Sequence, residues 1–241
     1  MMSENEKPIV IGVGGFARSG KDTFVKIAKK ILKEHGYSSI RLAFADALKE
    51  EIDPFLKEYY GISAWTEDTD EKKVIRPLLV AHGCQKRIQN PTYWIDKLDQ
   101  AIETIHYGED VIFVSDCRFP NEVDWIHNKW GGWFVHVRRY SVKKAYPTNQ
   151  LTFQIDTSRT FDAHVLDQDN IELDAPPNGE ERHNDPLCQE NADYKLEMEN
   201  TIERELRLTG NKITVDSLVD NTYLNEEIRL CLQKCPFLNI K

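Results

Sequence analysis

The sequence predicts an α/β fold in which a parallel β-sheet is flanked by helices and interrupted by an irregular acidic insertion. Two observations predict the sheet: a short apolar run that ends in glycines and leads straight into a helical pattern, and an alternation of strand-like and helix-like segments up to about residue 140. The 241 residues, 40% of them hydrophobic and 29% charged, suffice for one core with an insertion.

The chain opens with a βαβ unit. Residues 8–13 (PIVIGV) form a continuous apolar run of the kind that buried parallel strands show. Apolar residues then recur at helical spacing over residues 24–32, and Gly36 ends that segment. Residues 39–44 (SIRLAF) predict the second strand.

The same patterns predict the later elements of the core. They are a helix from about Asp46 that Pro54 kinks or interrupts, two helical pieces within 74–106 separated at 89–92, a strand at 111–115, a helix at 121–129 and a strand at 133–137. Alternation of this kind indicates a parallel sheet with helices on both faces.

The regular pattern fails between residues 141 and 210, where acidic residues crowd a stretch that contains proline and asparagine. We expect a mobile insertion there. A strand at 213–219 and an amphipathic helix at 224–235 then return to the core pattern. The sequence therefore divides into a core (1–140), an insertion or lid region (141–210) and a C-terminal strand and helix that complete the core (211–241).

The turn after the first strand fits a phosphate-binding loop. Residues 15–21 match the pattern G-x-x-x-x-G-K, with a predicted strand before it and a predicted helix after it. Glycines let the backbone wrap around a phosphate, the helix N-terminus adds positive potential, and Lys21 supplies a cation for the β and γ phosphates. The candidate donor-phosphate residues are Gly15, Arg18, Ser19, Gly20, Lys21, Asp22 and Thr23.

One position departs from the usual pattern. Asp22 stands where a serine or threonine hydroxyl would bind magnesium, and Thr23 follows it. A carboxylate beside phosphates needs a divalent cation between them, so Asp22 is a candidate for holding Mg²⁺ through its water shell. It is equally a candidate for stabilising the helix N-terminus, where aspartate is favoured. Thr23 remains within reach of the α-phosphate.

Asp116 and Arg118 follow the most apolar strand, at the sheet edge where ligands bind in open α/β folds. We interpret Asp116 as an acid that organises the metal; the alternative is a solvated aspartate at a strand end. Arg118 suits phosphate recognition, although an ion pair with Glu122 is also open.

Further cations come from Arg76, Arg87 and Arg138. Phosphoryl transfer depends on neutralising spreading negative charge, so arginines from several segments around one crevice favour that chemistry. Trp94 is a candidate for stacking on a base, against the alternative that it packs in the core.

Composition excludes several classes of protein. A formal net charge of −9 argues against a protein that binds nucleic acid through its phosphate backbone. No apolar run is long enough to span a membrane. The five cysteines are scattered, which predicts reduced thiols in a cytoplasmic protein, and Cys231 and Cys235 are expected to pack in the core.

Several segments together resemble a known family. They are Arg-Ser-Gly-Lys-Asp-Thr (18–23), Ala-Phe-Ala-Asp-Ala-Leu-Lys (43–49), Arg-Pro-Leu-Leu (76–79), His-Gly (82–83), Tyr-Trp (93–94), Asp-Cys-Arg-Phe-Pro-Asn-Glu (116–122) and Asp-Asn-Thr-Tyr-Leu (220–224). The chain resembles the deoxynucleoside monophosphate kinases of tailed bacteriophages over most of residues 8–140 and 213–235. The aspartate in the phosphate loop is itself a feature of that family.

The resemblance implies an adenylate-kinase-like P-loop NTPase fold, Mg²⁺ and ATP as donor, and a deoxynucleoside monophosphate as acceptor in the cytoplasm, the host's if the protein is phage-encoded. Catalysis would fall to Lys21, Asp116, Arg118 and Arg138, with Asp22 and Asp116 beside the metal. Acceptor binding would fall to Asp46, Lys49, Arg76, Arg87, Trp94 and Arg118. A homodimer is left open.

Two other functions fit the same loop. One is a P-loop kinase for another small phosphorylated acceptor, such as phosphomevalonate or dephospho-coenzyme A. The other is a nucleotide-dependent switch or binding module that signals through the acidic insertion.

Overall fold

The computed structural model describes residues 7–105, 109–142, 171–173, 179–202, 204, 208 and 216–240. Its strands are β1 (Ile9–Gly14), β2 (Ser39–Leu42), β3 (Val111–Cys117), β4 (Trp133–Val142), β5 (Ile171–Leu173) and β6 (Tyr194–Glu199). Its α-helices are α1 (Lys21–Glu34), α2 (Phe44–Tyr60), α3 (Thr69–Gln89), α4 (Tyr93–Ile105), α5 (Pro120–Trp130), α6 (Gly179–Glu190) and α7 (Thr222–Gln233). A 3₁₀-helix covers Asp216–Asp220.

Five strands form a parallel sheet in the order β2-β3-β1-β4-β6, and β5 pairs antiparallel with the end of β4. This confirms the predicted α/β fold. Because the five strands are parallel, their C-terminal ends share one edge of the sheet. The loop after β1 and the turn after β3 therefore lie side by side, at the edge where such sheets bind ligands.

Helices cover both faces of the sheet. One face packs against α1 and α7, through residues such as Phe24, Ile31 and Ile228. The other packs against α4 and α5, where Trp94 and Phe134 are buried. Each such side chain contributes about 1.5–3 kcal/mol when fully buried. Cys231 and Cys235 are buried in the first of these layers, as predicted.

The second strand and the helix that follows it differ from prediction in two ways. α2 runs unbroken through Pro54, so the proline does not interrupt it. Ile52 and Leu56 are buried on either side of the proline, and their packing compensates for the lost hydrogen bond. β2 ends at Leu42, and Phe44, which was placed in the strand, begins the helix.

The larger differences lie after residue 137. β4 continues to Val142 because β6 pairs with residues 135–140 and β5 pairs with residues 140–142. The expectation of irregular structure is wrong for 179–199, which form α6 and the sheet strand β6, while 143–170 lie outside the described residues. The strand expected at 213–219 is a 3₁₀-helix from residue 216 onward, and 211–215 are not described. The division of the chain into three units remains a prediction.

Within the described ranges, the structure contains no helix that is both long and apolar enough to cross a membrane.

Candidate functional site

The loop between β1 and α1 has the backbone of a phosphate cradle. Gly15 (φ 123°) and Gly20 (φ 102°) adopt positive φ angles. At Gly15 a Cβ atom would lie 2.2 Å from the carbonyl oxygen of Val137 on β4, so the loop passes directly over that strand and only glycine fits. Arg18 also has a positive φ of 67° and is exposed at the tip of the loop. A non-glycine residue in this region costs about 1–2 kcal/mol, and such costs concentrate at functional sites.

The polar groups of the loop point to an anion. α1 begins at Lys21 with Gly20 as its N-cap, and no side chain caps it. The Lys21 ammonium is almost fully buried and donates to the carbonyl oxygens of Gly15 (2.6 Å) and Phe16 (2.7 Å). The Ser19 hydroxyl is buried and has no hydrogen-bond partner among the described residues. An uncapped helix start, a lysine and a buried hydroxyl form a place for phosphate oxygens.

Asp22 lies in the first turn of α1 and is exposed, and Thr23 beside it is half-buried. No side chain forms a capping hydrogen bond at this helix. Any contribution of Asp22 to the helix is therefore electrostatic, through its position near the positive end of the helix. The carboxylate is open to solvent on the same turn as Lys21, where it can also meet a hydrated cation.

Asp116 has a role that the sequence did not predict. Its two carboxylate oxygens accept hydrogen bonds from the backbone N–H groups of Phe44 (2.8 Å) and Ala45 (2.9 Å). It therefore caps α2 from the neighbouring strand β3. Burial raises the pKa of Asp116, while the two N–H donors and the charges of Arg118 and Arg41 act in the opposite direction. These bonds explain why α2 begins immediately after β2.

The turn after β3 is organised by Glu122, which is 2% exposed. One of its carboxylate oxygens accepts from the backbone N–H groups of Arg118 (2.7 Å) and Phe119 (3.1 Å). Its other oxygen lies 3.8 Å from a guanidinium nitrogen of Arg87 on α3. Burial raises the pKa of Glu122 to about 8, against the opposing effects of Arg118 N–H and Arg87. An ion pair between Arg118 and Glu122 was expected, and the contact in the structure is instead a hydrogen bond from the Arg118 backbone N–H.

Arginines from three elements meet around this turn. Arg87 stacks over the ring of Phe119, with its guanidinium carbon 4.2 Å from the ring centroid. Arg118 and Arg41 both act electrostatically on Asp116. A narrow pocket lies between the phosphate loop, the turn after β3 and helix α6. Its lining residues are Gly15, Phe16, Cys117, Arg118, Asp185 and Cys188.

Sequence reasoning missed Arg41 at the end of β2. Its Nε donates to the Ser115 hydroxyl (2.8 Å), and its Nη1 donates to Asp46 (2.8 Å). Asp46, predicted to bind the acceptor, is thus the partner of an arginine beside Asp116. A charged residue within the apolar run 39–44 was the signal that could have revealed Arg41.

The strand predicted at 133–137 would place Arg138 just after its end, whereas in the structure Arg138 lies within β4, paired in register with Glu197 of β6. Its Nε is buried without a hydrogen-bond partner in the described ranges. Two residues earlier, His136 is buried next to the loop strand, opposite Gly14. Its Nε2 lies 2.9 Å from Asp185 of α6, so this pair joins α6 to the sheet behind the phosphate loop.

Three further residues were assigned to acceptor binding. Arg76 is exposed on α3, about 16 Å along the helix axis from Arg87 at 1.5 Å per residue. Lys49 lies with its ammonium 4.7 Å from the ring centroid of Trp65. Trp94 is 2% exposed and donates its indole N–H to the carbonyl of Gly83 (3.1 Å). The base-stacking interpretation of Trp94 is therefore wrong, and the core interpretation holds.

Comparisons with known proteins add little to this geometry. No family model matches the sequence, and no curated protein matches it. Among solved structures, a protein named APE1195 aligns with 54% of this chain at 22% identity and a TM-score of 0.27, and the match spans 60% of that protein's length. A proposed kinase from Chloroflexus aurantiacus aligns with 95% of this chain and 98% of its own at 14% identity and a TM-score of 0.37.

Proposed function

We propose that this protein is a kinase that transfers the γ-phosphoryl group of ATP to a deoxynucleoside monophosphate. The observation that carries the proposal is the narrow pocket lined on one side by Gly15 and Phe16 of the phosphate loop and on another by Arg118. A donor phosphate on the loop and an acceptor phosphate at the arginine would meet there. Direct transfer between two bound phosphates requires this arrangement.

The donor side is the cradle from Gly15 to Thr23. Lys21 would exchange its bonds to the loop carbonyls for bonds to donor phosphate oxygens, and the Ser19 hydroxyl would gain a partner. The uncapped start of α1 adds positive potential at the same place. Arg138 lies on β4, the strand over which the loop passes, and is our candidate for a further cation near the transferred group.

Mg²⁺, when bound, neutralises charge on the β and γ phosphates. The exposed carboxylate of Asp22, one residue from Lys21, fits a place in the water shell of that ion. Asp116 is less suited to coordinate the ion directly, because each of its oxygens already accepts a hydrogen bond from a backbone N–H group of α2. We therefore propose Asp22 as the acid beside the metal and Asp116 as a residue that positions α2.

The acceptor side is the group of arginines from β2, α3 and the turn after β3. Arg118 lines the pocket, Arg87 is held against the same turn, and Arg41 flanks Asp116. Together they can neutralise an acceptor phosphate and the charge that spreads in the transition state. The reaction needs no nucleophile from the protein. Exclusion of water matters instead, because water competes with the acceptor for the phosphoryl group.

A coupled assay of ADP formation over a panel of acceptors tests this proposal. The panel holds the deoxynucleoside and ribonucleoside monophosphates, dephospho-coenzyme A and phosphomevalonate. We expect turnover with at least one deoxynucleoside monophosphate. Turnover with only another phosphorylated acceptor would replace the substrate assignment. ADP formation that no acceptor stimulates would favour a nucleotide-dependent switch.

A further inference from the structure

Glu122 is hydrogen-bonded to the turn that carries Arg118 and lies beside Arg87 of α3. It accepts hydrogen bonds from the backbone N–H groups of Arg118 (2.7 Å) and Phe119 (3.1 Å). Its other oxygen lies 3.8 Å from a guanidinium nitrogen of Arg87. No step of the proposed phosphoryl transfer uses this carboxyl group. Burying a carboxyl group to 2% exposure is costly in free energy, and the two N–H hydrogen bonds offset that cost.

We propose that Glu122 is a positioning residue that sets Arg87 and Arg118 as one clamp for the acceptor phosphate. This inference rests on the proposed function. Glu122 holds the backbone of Arg118, which fixes the position of this residue at the edge of the pocket. It also lies beside Arg87, whose guanidinium is stacked on Phe119, the other residue whose N–H Glu122 accepts.

The charge state of Glu122 favours this arrangement. Because burial raises its pKa to about 8, the carboxyl is largely neutral at pH 7. A neutral carboxyl still accepts both backbone N–H bonds through its carbonyl oxygen. It does not neutralise Arg87, so that guanidinium keeps its positive charge for an anion from solvent. The clamp therefore needs the shape and the acceptor oxygen of Glu122 more than its charge.

Two substitutions separate these contributions. In Glu122→Ala the turn loses the oxygen that accepts its two backbone N–H bonds. The KM for the monophosphate substrate should then rise on the order of tenfold, which corresponds to the loss of a buried hydrogen bond of about 1–2 kcal/mol. The KM for ATP should not change, because no hydrogen bond among the described residues joins Glu122 to the phosphate loop. In Glu122→Gln the amide oxygen can accept both N–H groups, and the acceptor KM at pH 7 should return to within about threefold of the wild type.

Asp99→Ala is the matched control. Asp99 accepts hydrogen bonds from the indole N–H groups of Trp125 and Trp130 on helix α5, and among the described residues it contacts neither arginine of the clamp. We expect this variant to lose stability while the KM for the acceptor stays at its wild-type value. A purely structural role of Glu122 would give the same pattern as this control.

A double-mutant cycle completes the test. In an Arg87→Ala/Arg118→Ala background, Glu122→Ala should change the acceptor KM by less than about twofold, because the residues that it positions are gone. An acceptor KM unaffected by Glu122→Ala in the wild-type background, or an equal rise in both KM values, would overturn the inference. A wild-type protein without acceptor-dependent turnover would instead overturn the proposed function, so the two failures are distinct.

Discussion

The ammonium group of Lys21 donates a hydrogen bond to the carbonyl oxygen of Gly15 across the phosphate loop, at 2.6 Å. The lysine is thus held inside the cradle that we assign to the donor phosphates. Its charge is already at the site where the phosphoryl group would be transferred, which limits the reorganisation needed during reaction.

Lys21→Ala should lower kcat/KM on the order of 100- to 1,000-fold, as expected when one preorganised charge contact to the transition state is lost. Initial rates with saturating acceptor measure this effect. Lys26→Ala, on the exposed face of the same helix, is the control and should retain wild-type rates. Equal activity of the two variants would show that the loop is not the donor site.

Asp22→Ser should raise the Mg²⁺ concentration required for half-maximal rate, because a hydroxyl replaces the carboxylate that we place in the ion's water shell. A Mg²⁺ titration at fixed ATP measures it. The free energy of unfolding should fall by about 0.3–1 kcal/mol through the lost interaction with the helix. A loss of stability with an unchanged Mg²⁺ requirement would leave Asp22 with only the helix role.

Asp116→Ala should destabilise the fold by about 1–2 kcal/mol, since the first N–H groups of α2 lose their capping oxygens. Asp116→Asn keeps one oxygen and should lose less. Urea unfolding of both variants gives these free energies. If neither variant is destabilised, the hydrogen bonds from Phe44 and Ala45 do not hold α2 in place.

Arg41→Ala should raise the acceptor KM severalfold, because a cation beside the proposed phosphate site is removed. Steady-state kinetics with the acceptor varied measure the change. Arg229→Ala, which removes a partly exposed arginine on α7 that pairs with Glu34, is the matched control. A similar acceptor KM in both variants would exclude Arg41 from the site.

Stability should depend on pH through Glu122. Its pKa is raised to about 8 in the folded protein from 4.5, so the folded state holds a proton that the unfolded chain releases. The free energy of unfolding should therefore fall as pH rises from about 4.5 to about 8. Besides burial, the groups that act on the pKa of Glu122 are the backbone N–H groups of Arg118 and Phe119 and the charges of Asp116 and Arg87.

Glu122→Gln isolates this contribution, because glutamine does not ionise and the other groups remain. Denaturant unfolding at several pH values should show the variant gaining stability relative to the wild type as pH rises over that interval. A difference that does not change with pH would mean that Glu122 ionises in the folded protein as it does in the unfolded chain.

The sequence predicted the parts of this molecule that depend on local patterns. The strand, glycine loop and helix around Lys21 are encoded by neighbouring residues, and the structure has them where predicted. The β6 strand and the second half of β4 were missed because each depends on pairing with a distant segment. Arg41 and the capping by Asp116 were missed for the same reason, since their partners are 74 and 72 residues away. Trp94 was ambiguous in sequence because helical spacing does not distinguish a core face from a ligand face.

The most direct test of the central claim is transfer of label from [γ-³²P]ATP. With Mg²⁺ and a panel of deoxynucleoside monophosphates, the account predicts that label appears in the corresponding diphosphate and that little inorganic phosphate forms. Lys21→Ala should lower the rate of formation of this product on the order of 100- to 1,000-fold while leaving the circular dichroism spectrum unchanged. Label recovered only as inorganic phosphate, at a rate that no monophosphate changes, would contradict the account.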